Sequence, residues 1–238
     1  MRLTDFTTLT FDCYGTLIDW ESGIVASLQP LLARLGTTRS RDAALAAFAR
    51  HETRLEATHP AMRYCDLLVL VHDALAHEWG AAPDAAESRR FGASVGDWPA
   101  FADTATSLAY LRRHYRLVIL SNVDRDSYRA SSARLGVDFD AVFTGEDIGS
   151  YKPDPRSFAW AIERLAAMGV ARSQILHTAQ SLFHDHAPAN AAGLASAWID
   201  RRHAAGGWGA TTAPPAGVRY DFRFASLAEM VAAHQAAR

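Results

Sequence analysis

Two textures of apolar and polar positions alternate along this chain. Short apolar runs, Leu9-Thr10-Phe11, Leu117-Val118-Ile119-Leu120, Ala141-Val142-Phe143-Thr144, Ile175-Leu176-His177 and Ala195 to Ile199, mark one of them. Each gives way to turn-forming or polar residues soon afterwards, as a buried strand does before a loop. In the other texture apolar residues recur at spacings of three and four, through Leu108 and Leu111, near Ser131 to Leu135, and from Pro155 to Met168. Strands separated by amphipathic helices predict an α/β fold, a Rossmann-like parallel sheet with helices on both faces.

From about Trp20 to Arg90 only the helical texture occurs, as in Leu28-Leu31-Leu32-Leu35 and Leu67-Leu68-Val71-Leu75. An all-helical insert placed after the first strand is expected to stand over the sheet as a cap. The break at Gly92 and Asp97-Trp98-Pro99 sets the boundaries: residues 1–17 and 97–238 form the core and residues 18–96 the cap. Ala204 to Val218, rich in Gly, Ala, Pro and Thr, reads as a surface loop before Tyr220-Asp221-Phe222 and a closing helix through Leu227 and Val231. No internal repeat stands out.

Composition narrows the partners more than the fold. The 238 residues are 49% hydrophobic, enough to bury a sizeable core. With 24 basic and 26 acidic residues the net charge is -2, which offers no electrostatic footprint for nucleic acid or an anionic membrane. The start of the chain has no apolar signal region, and no apolar stretch approaches a membrane span. Cys13 and Cys65 are too few for a disulfide framework and lack zinc-site spacing, so a cytoplasmic, reducing location is expected. A small-molecule ligand is the remaining expectation.

In open parallel sheets ligands bind outside the carboxyl ends of the strands. Four such ends carry complementary polar residues: Asp12 and Thr16, Ser121 and Asn122, Lys152 in Tyr151-Lys152-Pro153-Asp154, and Asp185 after the run ending at His177. Singly, each has an ordinary role as a turn residue, a helix cap or a solvated lysine. Their coincidence at four strand ends is the signal.

These segments, Phe11-Asp12-Cys13-Tyr14-Gly15-Thr16-Leu17, Leu120-Ser121-Asn122, Tyr151-Lys152-Pro153-Asp154-Pro155 and Thr178 to Asp185, resemble the haloacid dehalogenase superfamily over nearly the whole chain. The resemblance implies a Rossmann-like core and Asp12 as nucleophile. Phosphate-transferring members carry Asp-x-Asp, whereas the second position here is Tyr14, whose hydroxyl is too weak an acid for that role. Asp-x-Tyr-Gly-Thr instead resembles the 2-haloacid dehalogenases, which displace halide without a metal or other cofactor. The expected substrate is a short 2-haloacid, fluoroacetate included, with water as second reactant. A homodimer is a further expectation.

On this reading Asp12 attacks the halogen-bearing carbon to form an ester, and Lys152 keeps it ionised and oriented. Thr16, Ser121 and Asn122 donate hydrogen bonds to the substrate carboxylate or the nucleophile, and Asp185 positions or deprotonates the hydrolytic water. Leu182 stands where the resembled enzymes have Asn, so Gln180, Ser181 or His184 takes over water positioning. Phe158 replaces a family Tyr; with Leu182 it predicts a narrower, more apolar pocket. Arg50, and after it Arg54, are the candidates to close over the halide from the cap, with Trp20 as a pocket wall.

Each of these has a plainer alternative: a solvent-facing arginine paired with Glu, an aromatic core residue for Trp20, a ring packed against the cap for Tyr14. His184 and His186 flank Asp185, but a metal pair ranks below hydrogen bonding around that carboxylate. His51, His59, His72 and His77 are expected on the cap surface, and Cys13 buried and turned from the site. A small-molecule phosphatase and a noncatalytic binding protein are the competing functions.

Overall fold

The computed structural model describes all 238 residues. Six strands, β1 (Thr8–Phe11), β2 (Arg116–Ser121), β3 (Ala141–Thr144), β4 (Ile175–Ala179), β5 (Ala195–Ile199) and β6 (Phe222–Phe224), form one sheet in the order β3-β2-β1-β4-β5-β6. Every neighbouring pair is parallel. Five strands fall on the five apolar runs. The sixth comes from Phe222-Arg223-Phe224, a triplet too short to carry a pattern, and it reaches the edge by pairing with Ala197 to Ile199.

Parallel sheets must be covered on both faces, and the strand residues divide accordingly. Leu117 and Ile119 of β2 join Leu9, Phe11 and Leu176 in the larger apolar cluster. Val118 and Leu120 point the other way, onto Phe158, Leu165 and Ala189. Covering helices follow in chain order: α6 (Thr104–Leu111), α7 (Arg125–Ser132), α8 (Gly145–Ile148), α9 (Pro155–Ala167), α10 (Ala187–Ala191) and α11 (Leu227–Ala236). No helix is long and apolar enough to cross a membrane.

Between β1 and α6 lie five helices and no strand: α1 (Trp20–Ser27), α2 (Gln29–Leu35), α3 (Arg41–Thr58), α4 (Tyr64–Glu78) and α5 (Ala85–Gly92). Three of the five are capped at their starts by side chains, Asp19 accepting from Ser22 N–H, Ser40 from Ala43 and Asp84 from Ala86 and Glu87. The buried face of α3 runs through Leu45, Phe48, Glu52, Leu55 and Glu56. At about 100° per residue, positions 50 and 54 fall on the opposite side of that stripe. This corrects the expectation for both arginines. Arg50 is 61% exposed and paired with Glu78 at 2.9 Å, and Arg54 is exposed.

Two further expectations change. His72 is fully buried rather than on the surface, its Nδ1 2.9 Å from Ser88 Oγ. The segment from Ala204 to Val218 is largely exposed, yet Ala210 and Thr211 are buried. Ala210 N–H donates to Glu21 of α1, and Thr212 bonds Thr53 of α3, so the segment straps the inserted helices to the sheet.

Candidate active site

β1 sits at the centre of the sheet with β2 and β4 on its two sides, which makes its carboxyl end the switch point of the strand order. Asp12 follows it directly. Its N–H donates to Thr178 O at 3.1 Å, extending the ladder by one residue, and its side chain emerges above the strand ends. Oδ2 accepts from the Thr16 hydroxyl at 2.7 Å and Oδ1 from Lys152 Nζ at 2.9 Å. The return of the chain from Asp12 to Thr16 requires Gly15, at φ 96°. A Cβ there would lie 2.9 Å from Trp20 Nε1 and 3.2 Å from Gln180 Oε1. Thr16 Oγ1 also accepts from Gln180 N–H at 2.9 Å, tying the first and fourth loops together.

Lys152 is buried and its ammonium donates three bonds, to Asp12, to Asp185 Oδ1 at 2.6 Å and to Leu120 O at 2.9 Å. Asn122 clamps its backbone from both sides, accepting from Lys152 N–H at 2.7 Å and donating to Lys152 O at 3.0 Å. Asp185 sits in a π-helical turn, Leu182–His186, and its Oδ1 also meets His177 Nε2 at 3.0 Å. His177 Nδ1 lies 2.9 Å from the Thr10 hydroxyl, so assigning that hydroxyl as donor leaves Nε2–H aimed at the carboxylate. Asp185 Oδ2 is buried and has no partner.

Two carboxylates share this one ammonium. Burial alone would raise Asp185, but Lys152 and His177 outweigh it and hold the carboxyl well below the usual carboxylate range. For Asp12 burial wins, pushing it up against the opposing pull of Lys152 and Thr16. Lys152 itself is raised, because Asp12 and Asp185 overcome the burial that opposes its charge.

The Tyr14 hydroxyl points to α7, donating to Ser131 Oγ at 2.9 Å and Ser127 O at 3.3 Å, while its ring meets Trp98 edge-on. Burial raises its pKa further. It offers the site a wall and no acid. Trp20 packs edge-on against Phe48 and forms a second wall.

Above these groups lies a cavity of about 40 Å³. The structure brings Asp12, Tyr14, Trp20, Ser121, Asn122, Lys152, Gln180, Ser181, His184 and Asp185 to its walls, with Thr16 bonded just behind Asp12. Ser181 caps the turn, accepting from His184 N–H at 2.8 Å. Burial lowers the His184 imidazole to about 4 and keeps it neutral. His186 faces the sheet instead, bonded to Ala179 O and Ser196, and so makes no pair with His184. No three His, Cys, Asp or Glu side chains are grouped to hold a metal ion.

Arg50 and Arg54 are absent from the cavity, and in their place α3 contributes Glu52 and Glu56. Nor is the pocket apolar. Phe158 packs edge-on against His177 at 4.9 Å within the smaller core cluster, and Leu182 does not reach the lining. Tyr64, Val123 and Thr211 complete the walls. Sequence reasoning missed Glu52, Glu56 and His177. His177 interrupts an apolar strand run, which is the signal that was there to find, whereas Glu52 and Glu56 stand in a mixed polar stretch that gives none.

An aspartate at the switch point is thus bridged through a lysine to a second aspartate, beneath the inserted helices of an α/β fold. A family model described as haloacid dehalogenase-like hydrolase matches residues 6–193, and the chain belongs to that family. Among curated proteins it is similar to (S)-2-haloacid dehalogenase 4A of Burkholderia cepacia, 26% identical over 162 residues, 65% of this chain and 68% of that one. Among solved structures it is similar to the defluorinating L-2-haloacid dehalogenase Rha0230, with a TM-score of 0.79, 19% identity and 99% of each chain covered. The L-2-haloacid dehalogenase of Xanthobacter autotrophicus gives a TM-score of 0.74 at 22% identity, covering 95% of this chain and 97% of that one.

Proposed function

We propose that this hydrolase cleaves the carbon–halogen bond of short 2-halogenated acyl compounds, the class to which 2-haloacids belong, through an ester on Asp12. The arrangement that carries the reading is the Asp12 carboxylate on the cavity wall, held by Thr16 and Lys152, with the Tyr14 hydroxyl turned away. The names of its relatives supply the halogen.

One Asp12 oxygen attacks the carbon bearing the halogen from behind, and halide leaves with the bonding pair, inverting that carbon. Thr16 and Lys152 hold the carboxylate in line. Water then attacks Cγ of the ester, releasing the 2-hydroxy product and restoring the carboxylate, with one proton passed on to solvent. Asp185 Oδ2, unpartnered on the cavity side, accepts a hydrogen bond from that water and orients it, with neutral His184 and Ser181 beside it. Ser121 and Gln180 are the uncharged donors available to the departing halide. The inserted helices act as the cap that keeps bulk water out.

The test is halide release from 2-chloropropionate, chloroacetate, fluoroacetate and the corresponding amides, with and without EDTA. A single turnover in heavy-oxygen water is expected to place the label in Asp12 first and not in the product. Absence of halide from every substrate, with magnesium-dependent phosphate release from a small ester, would overturn the reading.

A further inference from the structure

Glu52 and Glu56 are the unexpected groups of this site. Both are buried, at 2% and 6% exposure, one turn apart on the face of α3 that closes the cavity. Glu56 Oε1 accepts from Asn122 Nδ2 at 2.9 Å, and its Oε2 lies 3.7 Å from His184 Nε2. Glu52 Oε1 accepts from the Tyr64 hydroxyl. Beyond these bonds, three buried polar atoms on the cavity's residues have no hydrogen-bond partner: Glu52 Oε2, His184 Nε2 and Asp185 Oδ2. Buried polar atoms are nearly always paired; with Asp185 Oδ2 and His184 given to the hydrolytic water, Glu52 Oε2 is the orphan left over and marks where a polar group of the ligand belongs.

The charges decide what kind of ligand. Lys152 is the only cation on the cavity wall, and its three protons are already given to Asp12, Asp185 and Leu120 O. A substrate carboxylate would add a second uncompensated negative charge to a buried site where two carboxylates already share one ammonium. Arg50 and Arg54, the cap arginines expected over the halide, face solvent and add no positive charge to the cavity.

We infer that the Glu52 and Glu56 pair recognises an uncharged hydrogen-bonding group on the substrate, so that 2-haloamides are preferred over 2-haloacid anions. This rests on the dehalogenase reading and names its substrate class. Burial pushes Glu52 up to about 8 and Glu56 well above the ordinary value, which favours the neutral form of each. With Glu52 Oε1 and Glu56 Oε1 already accepting from Tyr64 and Asn122, the free Glu52 Oε2 carries the O–H that donates to an amide carbonyl, and the second lone pair of either Oε1 is the acceptor left for the amide N–H. The small cavity favours a short chain on the rest of the molecule. The reaction balances as R-CHX-CONH2 plus water giving R-CHOH-CONH2 plus HX.

The experiment compares kcat/KM for 2-chloropropionamide and 2-chloropropionate at neutral pH, with Asp12→Asn as the blank for nonenzymatic release. The amide is expected to be favoured by about ten-fold or more, the scale on which a misplaced polar group discriminates. Equal or better turnover of the acid overturns the inference and leaves the dehalogenase reading standing. Should neither release halide, the dehalogenase reading fails, and an NMR titration with propionamide and propionate decides the inference: tighter propionamide supports it, equal or weaker propionamide overturns it. Glu52→Met, apolar and similar in length, is expected to raise KM for the amide by about ten-fold. A folded Glu52→Met protein with unchanged amide KM also overturns the inference, and the wild-type comparison stands if that variant does not fold.

Discussion

The proposed ester mechanism makes chemistry and stability separable at Asp12. Asp12→Asn is expected to lower turnover by about a thousand-fold or more while leaving the melting temperature equal or higher, because one buried carboxylate is removed from a site with a single ammonium. Lys152→Met does the opposite. It strands two buried carboxylates and is expected to cost about 3–5 kcal/mol in denaturant unfolding as well as activity. Since burial raises Asp12 and only its ionised form attacks, the acid limb of a kcat/KM profile is expected above the ordinary aspartate value of 3.8. Asp185 has the reverse sign: its pKa is depressed in the folded state, so its stabilisation is present above 3.8 and is lost as pH falls below it. A urea titration against pH reads this separately from the rate. Asp12 and Thr16 were legible in the chain because they follow an apolar run, and Lys152 and Asp185 through the motif segments that hold them; Glu52 and Glu56 were not, because a glutamate four residues from another reads as a solvated helix face until its neighbours are known.

Elements translate those residues into places. Strand positions were readable because parallel strands, covered on both faces, are near-continuous apolar runs. The phase of α3 was harder, since Arg and Glu alternate along Arg50-His51-Glu52-Thr53-Arg54-Leu55-Glu56 and either set fits one face. Packing against the strand ends chose the glutamates. Arg50→Ala is therefore expected to leave kcat/KM within about two-fold of wild type, measured by halide release, since only an exposed pair with Glu78 is lost. Gly15→Ala acts on the first loop through both its positive φ and the contact with Trp20 Nε1. Its expected cost is about 1–3 kcal/mol in denaturant unfolding, together with reduced turnover.

At the scale of the molecule, the site exists only because the chain leaves the sheet after β1 for five helices and returns. Residues as distant as Asp12, Glu56, Lys152 and Thr211 then share one cavity. Net charge of -2 gives no long-range attraction to a small anion. Raising ionic strength is accordingly expected to change kcat/KM for any substrate by no more than about two-fold in stopped-flow or steady-state assays. The sequence by itself determined the sheet, the helical insert and the order of Asp12, Ser121, Lys152 and Asp185 at successive strand ends, because burial and chain connectivity write those features locally. Tertiary structure alone decided which face of α3 closes the cavity, that Tyr14 bonds Ser131, and that His177 supports Asp185. Those depend on the rotation of a helix and the direction of side chains against partners more than a hundred residues away in some cases, which no local pattern of apolar positions encodes.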